Sequence, residues 1–243
     1  KQTVAGIVFR GLMRLPEDYL PGEMEIVRWA AKADSIERNN LKMNSALSSL
    51  MNLMTGNGLH PVVLKGQGVA SFYEDPLLRV CGAADLYFSV EEAAAAHRLM
   101  ESEGCSLTKE PDGSVCYMWN GIAVEHHSQI FDLHNPFLKK YLAELSGYYG
   151  FAECRPLSQD ETASAPGEEH SFRILSPLPN LLQLNAHLLK HLLGHGAGLR
   201  QFCDIARAYH ALNGQYSSAE LQGVYEKCGL MKWSCRLPHF LVR

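Results

Sequence analysis

The chain has 243 residues, 47% of them hydrophobic, and a formal net charge of -4. That length supports one substantial domain or two small ones, and that apolar content excludes a globally disordered chain. The acidic balance argues against an extended nucleic-acid surface, which needs a basic stripe, but leaves room for a local basic pocket. No apolar run approaches the roughly 20 residues of a membrane span, so no membrane partner is expected.

Taken in order, residues 1–58 read as a helical segment, clearest over 23–33 and 36–54. In the second stretch Ile36, Leu41, Met43, Leu47, Leu50 and Leu53 recur mostly at three- and four-residue spacing. Thr55-Gly56-Asn57-Gly58 stops it, because Gly and Asn tolerate the left-handed conformation that ends a helix. Residues 59–157 alternate between strand and helix. The pattern predicts a strand over 60–64, a short helix over 68–74 and a strand over 80–88. Ser89 then caps a helix over 90–103, with Glu92 three residues on as in a capping box. Strands follow over 106–109 and 115–119 around the turn Pro111-Asp112-Gly113. Asn120-Gly121 is a hairpin turn, and 122–127 is the returning strand. A helix is expected over 137–149.

Residues 158–169 are polar and poor in large apolar side chains, and read as a loop within a linker and edge segment, 158–175. From 176 to 243 the chain is helical again, over 179–193, 198–212 and 217–228. Strands and helices in this order, with a hairpin at the edge, predict an α+β fold around a mixed sheet. The chain opens on Lys1 rather than Met and closes on apolar Phe240-Leu241-Val242 before Arg243, so further helices are expected beyond the C-terminus. No secretory leader is visible. The seven Cys are scattered, with no C-x-x-C pair, which suits reduced thiols in a cytoplasmic protein.

Chemistry concentrates in residues 61–88. The apolar run Val62-Val63-Leu64 ends on Lys65-Gly66, a helical turn follows, and Gly82-Ala83-Ala84-Asp85 leads into a second apolar run. A strand ending on Lys-Gly, then a helix, then a strand bearing an acid, is a layout for phosphate and metal. Glycine lets backbone N–H groups approach an anion, and the acid can hold a divalent cation.

This stretch resembles the nucleotidyltransferase superfamily with the DNA polymerase beta-like fold, and within it a bacterial group of uncharacterised nucleotidyltransferase-like proteins. The group reads L-K-G, then an aromatic and a proline before an arginine, then G-D-x-D-L. Here those positions hold Leu64-Lys65-Gly66, Tyr73, Pro76, Arg79 and Gly82-Ala83-Ala84-Asp85-Leu86. The resemblance implies a nucleotidyltransferase-type mixed sheet flanked by N- and C-terminal helices. It implies transfer of a nucleoside monophosphate from an NTP such as ATP to an acceptor, with Mg2+ or Mn2+ held by Asp85 and Glu125. Both acids are then also the catalytic pair. Lys65, Gly66, Gln67, Arg79 and His127 would contact the nucleotide. The acceptor stays open between a small molecule, a sugar, a protein hydroxyl and an RNA end.

Several residues admit plainer roles. Asp85 and Glu125 could be solvated strand acids, and Arg79 could pair with Glu74 or Asp75. His127 shares a face with Glu125, while His126 points the other way. It could support the metal, touch substrate or be structural. Ala83 stands where the family carries its first acid. Three explanations remain: a natural loss, an introduced Asp-to-Ala change, or a shifted match in which Glu74 or Asp75 reaches the metal. The first would make the chain an inactive nucleotide-binding or protein-interaction module. Finally, His187, His191 and His195 recur every four residues. They would form a metal stripe only if an acid converged on them, and the sequence shows none; the resemblance implies another use, in which His187 or His191 faces the cleft and contacts the base or acceptor. Arg200 and Asp204 stand at i,i+4 spacing and are expected to pair.

Overall fold

The computed structural model describes residues 3–133, 135–154, 171–194 and 196–241, with side chains to Leu237. Short apolar runs form the strands, because each buries its side chains only by pairing with others. They are β1 (Val62–Leu64), β2 (Ala84–Tyr87), β3 (Thr108–Lys109), β4 (Val115–Trp119), β5 (Ile122–His127), β6 (Phe151–Cys154) and β7 (Phe172–Leu175). Among the described residues these make one seven-stranded sheet in the order β3-β4-β5-β2-β1-β7-β6. β1 is antiparallel to β2 and parallel to β7, and β2 is parallel to β5, so the sheet is mixed. The fold is α+β, as the order of elements predicts.

Burial follows the position of each strand. Central β1 is buried on both faces, with Val62, Val63 and Leu64 all hidden. Such strands read as continuous apolar runs rather than alternating ones. In β2 and β5 burial alternates: Ala84 and Leu86, Val124 and His126 are hidden, while Asp85, Glu125 and His127 face a cleft.

Helices cover the sheet. α1 (Ala5–Leu12) and α2 (Glu23–Gly56) precede it, α3 (Gly66–Ala70) follows β1, and α4 (Val90–Ser102) follows β2. α5 (Lys139–Tyr149), α6 (Pro177–Gly194), α7 (Leu199–Ala211), α8 (Ser218–Lys227) and α9 (Met231–Leu241) complete the set. The two expected N-terminal segments form one helix of 34 residues, because nothing between them breaks it and Asp34 pairs with Arg38 one turn on at 2.6 Å. α2 buries Met43, Leu47, Leu50 and Met54 on one stripe. It ends where Gly58 adopts φ +74°. Ser89 caps α4 by accepting from the Glu92 N–H, but Glu92 itself accepts from the His60 N–H and so ties α4 to the entry of β1.

Three elements were not expected. β6 and β7 border the polar segment, and β7 lies inside the sheet between β1 and β6 rather than at its edge. Four-residue strands carry too little periodicity to be read locally. α9 is the third. The described part of the expected linker, 171–175, carries this interior strand at Phe172–Leu175; residues 158–169 lie outside the described residues. The seven cysteines are free thiols. Among the described residues no helix is long and apolar enough to cross a membrane.

Candidate functional site

β1 delivers Lys65 to a cleft of about 510 Å3 through an unusual turn. Lys65 has φ +45° and Gly66 φ +40°, both left-handed. A Cβ on Gly66 would stand 3.3 Å from the Ala83 carbonyl oxygen, so glycine lets this turn close against β2. Gly68 has a different task. A Cβ there would meet Ile174 Cγ2 at 3.1 Å, so its bareness packs α3 onto β7. Gln67 is buried in α3 and does not line the cleft.

The parallel pairing of β2 with β5 sets the centre of the cleft. Its register places Asp85 opposite Glu125 and Tyr87 opposite His127. One ligand atom from each of Asp85, Glu125 and His127 lies within 4.8 Å of the others, a spacing that suits one divalent cation. His127 Nε2 lies 2.8 Å from Asp85 Oδ1, and Lys65 Nζ lies 3.2 Å from the same oxygen. Burial disfavours the Asp85 carboxylate, but Lys65 and His127 outweigh it and hold its pKa below the ordinary value. Burial likewise works against the Lys65 ammonium, yet Asp85, Asp132 and Glu125 keep it protonated, its pKa raised. His126 faces the core, with the Tyr117 hydroxyl 2.8 Å from its Nε2, and burial pushes its pKa down to about 3.

Ala83 lines the cleft on the same face as Asp85, so an acid there would join the group. Glu74 and Asp75 do not line it. Glu74 pairs with Arg14 and Arg207, and Asp75 with Arg10. The shifted match is therefore excluded by geometry. It also leaves Arg79 without the partners considered for it in the sequence. Arg79 is 4% exposed and clasps Asp204 of α7 through two bonds of 2.7 Å, Nε to Oδ1 and Nη2 to Oδ2. Tyr73 donates to the same carboxylate at 2.7 Å, and Asn40 donates to the Arg79 carbonyl at 2.7 Å. Its guanidinium is thus engaged in holding α7, while the residue still lines the cleft. Asp204 does not pair with Arg200. Arg200 donates to the Val80 carbonyl at 2.8 Å and lines the cleft.

Further lining comes from α6 and the segment after β5. Asp132, missed in the sequence, does converge on the histidine stripe. Its Oδ2 accepts from His187 Nδ1 at 2.8 Å and its Oδ1 from Lys190 Nζ at 2.7 Å. Burial favours the neutral acid, but these two bonds hold Asp132 well below the ordinary carboxylate range. With both oxygens taken, the stripe is not a second metal group; among the described residues only the Asp85 group satisfies that spacing. His191 packs edge-on against His187, ring centroids 4.5 Å apart, and burial with neighbouring His187 and Lys190 lowers its pKa. His195 lies outside the described residues. The one hint available in sequence was an acid five residues past the end of β5, and acids in turns are too common to single out.

Residues 1–240 match the model of a family described as uncharacterised nucleotidyltransferases. The chain belongs to that family. This nucleotidyltransferase is similar to a solved antibiotic-resistance factor, ANT(2'')-Ia, at 10% identity and TM-score 0.49, over 82% of this chain and all of the other. It is also similar to an antigenic nucleotidyltransferase-like protein from Paracoccidioides brasiliensis, at 13% identity and TM-score 0.47, over 84% and 92%. No curated protein matches it.

Proposed function

We propose that this nucleotidyltransferase moves a nucleoside monophosphate from an NTP to a hydroxyl-bearing acceptor, and that Ala83 leaves it a slow catalyst. The observation that carries the reading is the convergence of Asp85, Glu125 and His127 beside Lys65 in one cleft. The donors are two carboxylates and an imidazole. Carboxylates suit Mg2+ and Mn2+, and the imidazole favours Mn2+ of the two. Asp85, Glu125 and His127 are the residues that would hold the ion. When bound, such a cation neutralises phosphate oxygens and the charge that develops on the leaving pyrophosphate.

The chain supplies the rest. Lys65 offers a protonated amine to the phosphates, and Gly66 lets them approach the backbone. Arg200 and Lys190 add positive charge to the lining of the cleft. His127 Nε2 lies 2.8 Å from Asp85 Oδ1 and would give up that bond to hold the ion. Arg79, clasped by Asp204, supports the cleft through α7. The acceptor class stays open. The acidic balance favours a small molecule, sugar or protein hydroxyl over a long nucleic acid.

Titration calorimetry with manganese and each of the four triphosphates tests this. Binding is expected, and Asp85→Asn is expected to weaken it by at least tenfold. Ala83→Asp should raise pyrophosphate release by roughly three decades, the worth of one metal-binding carboxylate. The competing reading is a catalytically inactive binding module. It is favoured by Lys65 resting on Asp85 where a further acid is missing. Binding that persists while Ala83→Asp restores no release would support it. No binding of any triphosphate would sink both.

A further inference from the structure

The cleft carries a second constellation that metal and phosphate binding do not explain. Asp132, His187 and Lys190 line the same cleft, joined by the two bonds of 2.8 and 2.7 Å described above. We propose that His187 is the general base that takes the proton of the acceptor hydroxyl, and that Asp132 and Lys190 position it. This rests on the nucleotidyl-transfer reading.

The argument is one of donors and acceptors. An ionised carboxylate only accepts hydrogen bonds, so His187 Nδ1 must donate to Asp132. In the neutral ring Nε2 is then bare, an acceptor of protons. Lys190 holds the other carboxylate oxygen, so Asp132 stays ionised and cannot turn away. The His187 and Asp132 side chains are 20% and 19% exposed, half-buried at the cleft rather than sealed in the core. Of the other cleft histidines, His127 is bonded to Asp85 and stands among the metal-binding donors. His191 makes a T-shaped ring contact with His187 and, among the described residues, has no bond to a carboxylate. His187 alone of the three combines an orienting acid with a place in the cleft outside the metal-binding group.

The step balances. As the acceptor oxygen forms its bond to the α-phosphorus, its proton passes to His187 Nε2. The bond from the α-phosphorus to the bridging oxygen breaks, and pyrophosphate leaves with the electron pair. His187 then returns the proton to solvent.

Long-range 1H–15N spectra of histidine-labelled protein test the positioning without any nucleotide. Comparison with His187→Asn assigns the ring. The neutral His187 ring is expected to carry its proton on Nδ1. In Asp132→Asn, Lys190 can only donate, so it keeps the amide oxygen. The amide nitrogen then faces Nδ1, and the ring proton is expected to move to Nε2. A proton on Nε2 in the unaltered chain overturns the proposal. The kinetic arm measures pyrophosphate release from manganese-ATP, -CTP, -GTP or -UTP with glycerol as the hydroxyl probe. His187→Asn retains an N–H toward Asp132 but lacks the base. It is expected to slow release about 10²–10⁴-fold with triphosphate affinity within twofold. Unchanged release, or loss of triphosphate binding, overturns the base assignment. Absence of release from the unaltered chain, with the expected tautomer present, counts instead against the transfer reading.

Discussion

Asp85 is the residue on which most of the site's charge converges. Two donors meet at its Oδ1, Lys65 at 3.2 Å and His127 at 2.8 Å. The turn that brings Lys65 there is costly in backbone terms, since a lysine at φ +45° gives up the usual β or α well. Glycine at the next position carries the same sign of φ without that cost, and its missing Cβ clears the Ala83 carbonyl. Gly66→Ala is therefore expected to destabilise by about 1–2 kcal/mol, read as a lower urea midpoint at unchanged slope. A midpoint within error of the parent would show that the turn relaxes freely.

At the scale of elements, the site depends on how α7 is anchored. Arg79 and Asp204 are 4% and 7% exposed at the side chain, and Tyr73 and Asn40 complete the network. Breaking a buried pair leaves an uncompensated charge, which costs more than the pair contributes. Asp204→Asn is expected to destabilise by about 3–5 kcal/mol, measured by thermal or urea unfolding. Arg79→Lys would not restore the loss in geometry, because an ammonium cannot make the two parallel bonds. A cost under about 1 kcal/mol for Asp204→Asn would mean that water reaches the clasp. The same reasoning makes α7 the support for Arg200, whose bond to the Val80 carbonyl ties the helix to the approach of β2.

At the scale of the whole molecule, the C-terminal helices are joined by a buried polar group. Asn185 of α6 donates to the Tyr225 hydroxyl of α8 at 2.9 Å, and Tyr209 of α7 stands 2.8 Å from the same hydroxyl. Burial raises the pKa of Tyr225 above its ordinary value, with Tyr209 adding to the effect. The folded protein therefore keeps this proton at a pH where the unfolded chain, near 10, loses it. The contribution is fully present below pH 10 and is lost as pH rises toward the folded value. Tyr225→Phe is expected to lower stability at neutral pH yet flatten its alkaline decline by up to about 1.4 kcal/mol per pH unit above 10. Parallel declines for the two proteins between pH 10 and 11 would show that Tyr225 does not drive it.

The sequence by itself determined the local chemistry. Lys65-Gly66 after an apolar run, Asp85 opening the next, and Glu125 and His127 two apart on a strand were legible because turn geometry and the two-residue period are local properties. Asn120-Gly121 was legible for the same reason, and both residues do take positive φ. Tertiary structure alone decided which of these meet. The pairing of β2 with β5 brings together Asp85 and Glu125, forty residues apart, and the packing of α6 brings His187 to Asp132 across 55. Arg79 shows the converse. Its motif position suggested a phosphate contact, but a partner 125 residues away claims its guanidinium. Strand order and helix docking are fixed by burying apolar surface over the whole chain, an energy to which every segment contributes. No single window of residues contains it.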